Sequence, residues 1–441
     1  MKPILQVALD FVELIRAFKL AEEAVNGGAD WLEAGTPLIK SVGLDCVREL
    51  RKKFPNHTIV ADMKTMDVGR IEVESAAKAG ADIVAILGVA SDSTIMECIR
   101  AGGHYGAKIM VDLLQVPEFL KRAKEIEQMG ADYLGLHTSI DEQMQRKISF
   151  EKVSGITQEV NIPVAVAGGI NSENACKAVE AGATIVIVGG AIIKSEDSQK
   201  ATREIKKAIN QKISIKTKLF KRITDENIRD ILLKVSTANI SDALHRQEAL
   251  RSIFPIISGI KMVGQAVTVR TYPGDWAKPV EAIDQAEEGD LIVIDAGGAG
   301  PAVWGELASH SAQVKKLAGV VIDGAIRDVT EIRRMKFPAF AKIITPTAGE
   351  PKGFGEIGVP VNISGTKVFP QDWVIGDDDG VIIIRGKKAV EFTNRAMDVL
   401  ERENRIRKEI EEGGTLGKVT ELLKWEKNKH KEKKDGDRIN Q

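Results

Sequence analysis

A glycine recurs at positions 28, 80, 130 and 182, in the near-identical settings Gly27-Gly28-Ala29-Asp30, Ala79-Gly80-Ala81-Asp82, Met129-Gly130-Ala131-Asp132 and Ala181-Gly182-Ala183-Thr184. The spacing is 50 to 52 residues, which marks an internal repeat. Each glycine follows an amphipathic stretch such as Ile71 to Ala79 and precedes a short apolar run such as Asp82 to Leu87. A glycine just past a helix takes the left-handed conformation that closes it, and an apolar run this short suits a strand. A second set of runs, Ile4 to Leu9, Thr58 to Ala61, Lys108 to Val111 and Pro163 to Ala167, lies between them. Two strands and two helices per repeat, four times over, predict an α/β fold of eight units in roughly 210 residues, a (β/α)8 TIM barrel. An open doubly wound sheet shares the alternation but does not require four equal two-unit repeats.

At 441 residues the chain outgrows one core, so a second domain is expected after the barrel. With 43% hydrophobic and 28% charged residues, both halves should fold. A net charge of -1 provides no global field for nucleic acid or an anionic membrane, and neither is expected as a partner. Cys46, Cys98 and Cys176 form no CxxC pair, and no signal peptide or apolar run near twenty residues is evident. A reducing, cytoplasmic compartment is expected.

Barrel chemistry gathers at the carboxyl ends of the strands. Strand one ends in Asp10, strand two in Glu33, strand three in Asp62 with Lys64 and Asp67 beyond, strand five in Asp112 and strand six in His137. Strands seven and eight end in Gly168-Gly169 and Gly189-Gly190. Carboxylates are rarely buried unpaired, so such a rim needs cations: Lys64 is one, and a divalent metal would be another. Singly, Asp10 or Asp62 could cap a helix, His137 could be a core residue, and the glycine pairs could be tight turns. Gathered at one rim, the ionisable groups predict catalysis, and the glycine pairs predict backbone amides that hold a phosphate.

The segments Leu5-Gln6-Val7-Ala8-Leu9-Asp10, Glu33-Ala34-Gly35-Thr36-Pro37, Ala61-Asp62-Met63-Lys64-Thr65-Met66-Asp67, His137-Thr138-Ser139-Ile140-Asp141-Glu142-Gln143 and Val166-Ala167-Gly168-Gly169-Ile170 resemble the 3-hexulose-6-phosphate synthase family of the orotidine 5'-phosphate decarboxylase superfamily. The likeness spans residues 1 to about 210 and implies a barrel that reversibly joins formaldehyde to ribulose 5-phosphate. It implies that Glu33 and Asp62 hold Mg2+ or Mn2+, that Lys64 sits beside the developing enediolate, that His137 moves protons and that Asp112 assists at the sugar hydroxyls. Asp10 is included in the catalytic set. Asp67 is implied to reach a neighbouring subunit's site, hence a dimer. The similar 3-keto-L-gulonate 6-phosphate decarboxylase family has Glu where this chain has Asp112 and Arg where it has Ile140, so both positions favour the synthase.

The barrel is assigned to residues 1–213. A Lys-rich helical stretch, Lys200 to Arg222, is expected to lead out of it, followed by a second domain at 214–423. That half contains a predicted helix Thr224 to Val235, the segment Ser236 to Leu244, and strands Ala266 to Arg270, Leu291 to Asp295, Gly319 to Asp323, Ala339 to Ile344 and Val381 to Ile384, without the fifty-residue repeat. Its chemical residues are Gly305-Glu306-Leu307-Ala308, the Gly-rich loop Ala296 to Gly300, and Arg327-Asp328. An adjacent Arg and Asp can simply pair with each other. Beside free amides they can instead clamp a small carboxylic acid to a metal.

Over residues 225 to 412 this half resembles the family of the regulator of ribonuclease activity A and the class II 4-hydroxy-4-methyl-2-oxoglutarate aldolases, in which an acidic residue precedes Arg-Asp at the spacing of Glu306 and Arg327. The resemblance implies that Arg327 binds a 2-oxo acid carboxylate, that Asp328 binds a divalent metal, and that Gly305 to Ala308 donate backbone hydrogen bonds. The family also includes protein-binding regulators, and Glu306 replaces the Asp expected of an aldolase. Trimers are common in it, and a two-fold and a three-fold contact in one chain favour a closed homo-oligomer such as a hexamer. The tail from 424 to 441 alternates Lys with Glu and Asp and is expected to be a solvated helix end.

Overall fold

The structure, a computed structural model, describes residues 2–139, 144, 150–217, 222–223 and 227–420. Ile140 to Gln143, Thr224 and the tail from 424 to 441 lie outside the described residues. The chain forms two compact units, Met1–Lys221 with Glu401–Gln441, and Arg222–Leu400. These divisions differ from the sequence boundaries at 213 and 423, because the described residues from Glu401 to Thr420 pack with the first unit.

In the first unit β1 (Ile4–Leu9), β2 (Trp31–Ala34), β3 (Thr58–Thr65), β4 (Ile83–Leu87), β5 (Lys108–Asp112), β6 (Tyr133–His137), β7 (Val164–Ala167) and β8 (Ile185–Val188) close into a parallel barrel in sequence order. Gly28, Gly80, Gly130 and Gly182 have φ of 97°, 105°, 96° and 97°, as the repeat requires where a helix turns back into a strand. Side chains alternate across each strand. Val60, Ile83, Ala85, Met110, Ala165 and Ile185 fill the barrel interior, while Leu5, Val7, Leu32, Ile59 and Ala61 join the larger core outside it. The same parity carries Glu33, Asp62, Asp112 and His137 to the inside at the carboxyl ends.

The register of β3 against β4 slips between Asp62 and Thr65, and Lys64 has φ of 47°. A bulge at a barrel rim re-aims a side chain, here the lysine. After β8 the helix runs only over Ser198–Gln211, shorter than the stretch to Arg222. Lys212 closes it in the left-handed conformation, and the chain beyond is tied back by the Ile215 amide to Ser172 O and the Ser172 hydroxyl to Ile215 O.

The helix Ala389–Glu411 ends in the first unit. There Arg405, 2% exposed, donates to Glu23 Oε1 at 2.8 Å and Glu409 Oε1 at 2.9 Å, while Arg16 donates to Glu409 Oε2 at 3.0 Å. Removing one member of such a network leaves a buried charge uncompensated. Arg405→Ala is therefore expected to cost the first unit about 3–5 kcal/mol, read as an earlier urea transition; an unshifted transition would show that these turns contribute nothing.

The second unit is built on a nine-stranded sheet. Its main path runs β19 (Gly380–Ile384), β18 (Trp373–Asp377), β10 (Met262–Arg270), β11 (Leu291–Asp295), β13 (Gly319–Ile326), β14 (Ala339–Ile344) and β9 (Phe254–Pro255), with β12 (Ala302–Trp304) beside β13 and β15 (Glu356–Ile357) beside β10, while β16 (Val361–Ile363) and β17 (Thr366–Val368) pair separately. All eight residues of β13 are buried, as expected of a central strand covered on both faces. The helix predicted from Thr224 to Val235 is Ile228–Leu232 within the described residues. It stops because Ser236 and Asn239 form a reciprocal capping box that starts a new helix, Thr237–Ala243.

Candidate active site

At the barrel mouth the predicted residues form a connected set. Lys64 Nζ lies 2.6 Å from Asp62 Oδ2 and 3.7 Å from Asp112 Oδ2, and His137 Nδ1 lies 3.1 Å from Asp112 Oδ2. Asp112 Oδ1 accepts from the Leu114 amide at 3.0 Å. The Thr36 hydroxyl lies 2.8 Å from both Asp62 Oδ2 and Asp62 O, which fixes that carboxylate from the start of the helix Thr36–Val42 that follows β2. Neither Asp10 nor Asp62 caps the helix after its strand: Leu14–Gly27 and Gly69–Lys78 have Glu13 and Val68 at their N-caps.

Charge explains the rest of the arrangement. Burial and the adjoining Asp62 and Asp10 carboxylates push the Glu33 carboxyl well above its usual range, against a hydrogen bond from Gln6 that favours its charged form. Asp10 keeps solvent access at the rim, yet the protein crowding it, followed by Asp62, raises its carboxyl too. Burial works against the Lys64 ammonium, but Asp62 and Asp112 outweigh it and hold its pKa above the ordinary lysine value. Four carboxyls, of Asp10, Glu33, Asp62 and Asp112, thus crowd the mouth, and Lys64 is already paired with Asp62 and Asp112. The donors at the mouth are hard carboxylate oxygens, the set that suits Mg2+ or Mn2+, and Glu33 with Asp62 on adjacent strands fits such an ion. No three His, Cys, Asp or Glu side chains among the described residues are already drawn into a metal cage.

A Cβ at Gly35 would overlap Asp10 Oδ1 and displace that carboxylate, and one at Gly189 would lie 3.3 Å from Asp10 Oδ2. Gly168 and Gly169 have φ of 102° and 63°, and Gly190 opens the four-residue helix Gly190–Ile193. Asp67 is exposed and accepts from the Val68 amide, so it stands outside this set. Asp141 lies outside the described residues. Sequence reasoning missed Thr36 and Gln6, although both stand in the segments that carried the resemblance.

In the second unit Gly305 precedes the helix Glu306–Val314, and a Cβ on it would meet Asp328 Oδ2 at 2.6 Å. Asp328, with φ of 56°, accepts from the Glu306 amide at 3.3 Å and forms an ion pair with Arg327, Nε to Oδ2 at 3.3 Å. The Arg-Asp pair therefore does engage itself, at the start of a helix whose next amides, of Leu307 and Ala308, have no carbonyl of their own helix to reach. The Leu307 side chain is 78% exposed and can line only an open site. The Gly-rich loop departs from expectation. Gly298 faces Lys342 and Asp323, which are 3.1 Å apart, and no hydrogen bond joins the loop to Arg327 or Asp328 among the described residues. The β13 register shift at Asp323-Gly324 explains this, because it turns Asp323 toward β14 before the strand reaches Arg327.

A closed barrel with an ionic mouth is matched over residues 3–205 by the Orotidine 5'-phosphate decarboxylase / HUMPS family, and residues 237–383 match Aldolase/RraA, described as RraA-like. The chain belongs to the first of these families through its barrel and is a fusion with an RraA-like domain. Within the family it is similar to 3-hexulose-6-phosphate synthases: that of Methylomonas aminofaciens is 40% identical over 201 residues, 45% of this chain and 96% of the relative. That of Bacillus subtilis (strain 168) is 38% identical over 208 residues, 47% of this chain and 99% of the relative. A solved 3-hexulose-6-phosphate synthase is 36% identical across 47% of this chain and all of its own, with a TM-score of 0.45. The first unit is accordingly an enzyme domain of the lyase class. No helix among the described residues is long and apolar enough to cross a membrane.

Proposed function

We propose that the barrel catalyses the reversible, divalent-metal-dependent condensation of D-ribulose 5-phosphate with formaldehyde to 3-hexulose 6-phosphate. The observation that carries this reading is the chain Asp62, Lys64, Asp112, His137 at the mouth of a barrel that matches synthases over nearly their whole length. Glu33 and Asp62 would hold Mg2+ or Mn2+, which when bound supplies Lewis-acid stabilisation to enediolate oxygens. Carbon–carbon bond formation at C1 of ribulose 5-phosphate requires that C1 lose a proton. His137, oriented through Nδ1 by Asp112, has its other ring nitrogen without a hydrogen-bond partner among the described residues, available to hold a proton during the exchange. Lys64 keeps a fixed positive charge beside the oxygens that become negative. Gly168, Gly169, Gly189 and Gly190 would present amides to the phosphate.

The reaction would serve formaldehyde fixation in a ribulose monophosphate pathway or, in reverse, pentose phosphate supply. The competing decarboxylase reading is separated by assaying formaldehyde consumption with ribulose 5-phosphate against carbon dioxide release from 3-keto-L-gulonate 6-phosphate. Decarboxylation without formaldehyde consumption would reverse the assignment.

Met66, Val68 and Ile71, at 54%, 52% and 61% exposure, flank Asp67 just beyond the site. Such an apolar rim suits a second copy of the chain that places Asp67 at its neighbour's mouth, so a homo-oligomer is proposed. Light scattering at micromolar concentration should give at least a dimer mass, and a monomer would refute this.

For the second unit we propose a metal-dependent 2-oxo acid lyase, with Arg327 on the carboxylate, Asp328 on the metal, and Glu306 with the Leu307 and Ala308 amides around them. Asp328→Ala should abolish divalent-metal-dependent oxaloacetate decarboxylation while leaving formaldehyde chemistry intact, since distant sites act independently. Arg327→Lys should also impair it, because Lys loses the two-pronged match to a carboxylate. If the parent protein processes no 2-oxo acid, a regulatory, protein-binding role replaces the lyase reading.

A further inference from the structure

The parity that brings Glu33 to the barrel mouth also points Gln6 inward, one layer deeper: Ala8 pairs with Glu33 in the register of β1 and β2, and Gln6 pairs with Trp31. Gln6 is 1% exposed. Its Nε2 donates to Glu33 Oε2 at 2.5 Å, and its Oε1 is buried without a hydrogen-bond partner among the described residues. The surrounding floor of Ile4, Val60, Ile83, Met110 and Ile187 is apolar, so a Leu or Met at position 6 would pack there without any polar group to satisfy. A buried amide with one unmet oxygen is unfavourable in that setting and is not explained by packing. Turning the amide over would not help, because its N–H groups would then take the buried, partnerless position of the oxygen. The unmet oxygen is the consequence of directing the N–H at Glu33.

We propose that Gln6 is a positioning residue for the divalent-metal site: it anchors the Glu33 carboxylate by Oε2. This rests on the function proposed above, in which Glu33 and Asp62 are the metal's ligands. A hydrogen-bond donor beneath a liganding carboxylate fixes its orientation before the ion arrives and spares the site the ordering that a free side chain would need. Gln suits the position because it offers a neutral donor at the required reach. Glu would add a like charge, and Asn is one methylene too short.

The test is direct Mn2+ binding to the full-length protein, followed by electron paramagnetic resonance of the free ion. The barrel site is identified as the part of the binding that Glu33→Gln removes, which separates it from any metal held by the second unit. Gln6→Leu, with Gln6→Met as a second variant should Leu at that position impair folding, is expected to weaken Mn2+ at that site by about 10–100-fold. At saturating metal the KM for ribulose 5-phosphate should stay close to the parent value, and the metal-free melting temperature should hold or rise. Unchanged Mn2+ affinity in a folded variant overturns the inference even if the protein is catalytically active and metal-dependent. A lowered melting temperature with intact affinity also overturns it, in favour of a purely structural amide. If the parent has no Mn2+ site that Glu33→Gln removes, the proposed metal function fails and the inference falls with it.

Discussion

His137→Asn is expected to lower kcat for formaldehyde condensation by about 10²–10⁴-fold, the range for loss of a positioned general acid or base. The ring is held by Asp112 at 3.1 Å, and Asp112 is itself fixed by the Leu114 amide and approached by Lys64. Asn can preserve a polar contact to Asp112 but has no group that both gives and takes a proton near neutral pH. The side chain is 23% exposed, so its replacement should leave the melting temperature nearly unchanged. KM for ribulose 5-phosphate should change little, because substrate phosphate and metal are assigned to other groups. Steady-state kinetics with a thermal melt on the same preparation checks both parts. A variant that retains kcat within a few-fold would remove His137 from the proton transfer.

Stripping divalent metal should have the larger effect still. Activity is expected to vanish in EDTA and to return with Mg2+ or Mn2+, whereas Ca2+, with its longer bonds and looser geometry, should restore it poorly. The physical argument is the crowding of carboxyls at the mouth: burial and mutual repulsion raise the carboxyls of Glu33 and Asp10, and Lys64 is already committed to Asp62 and Asp112. An enediolate brought into that mouth would add to the repulsion unless a second cation balanced it. Full turnover in a sample shown by elemental analysis to lack divalent metal would contradict the mechanism.

The barrel was legible because its punctuation is periodic. Four left-handed glycines at near-equal spacing imply the strand after each one, and the period-two alternation of those strands then implies which ends face inward. Glu33, Asp62, Asp112 and His137 were readable as a set for the same reason.

Other features depend on three-dimensional packing that no local pattern carries. The bulge that aims Lys64 is a mismatch between two strands rather than a property of either one. Gln6 looks like one polar residue in an apolar strand until the neighbouring strand puts Glu33 above it. Arg405 and Glu409 stand in a run rich in Arg, Lys and Glu that resembles a solvated helix face, and only the partners Glu23 and Arg16, nearly four hundred residues away in sequence, show that this part of the helix is buried.

The second unit has no repeat to fix its register, so its motifs could be placed at strand ends but not sorted among neighbours. The Gly-rich loop was grouped with Arg327-Asp328 on proximity in sequence, whereas the β13 bulge directs it to Asp323 and Lys342.

The central claim is that this barrel makes the bond between formaldehyde and C1 of ribulose 5-phosphate. Incubating the full-length protein with Mg2+, ribulose 5-phosphate and 13C-labelled formaldehyde, and following the label by NMR, tests it directly. The account predicts that the formaldehyde signal is replaced, one for one with ribulose 5-phosphate lost, by a hydroxymethyl carbon of a 3-hexulose 6-phosphate, and that Lys64→Ala and His137→Asn proteins do this far more slowly. Label that stays in formaldehyde while the parent protein is folded and metal-loaded would contradict it.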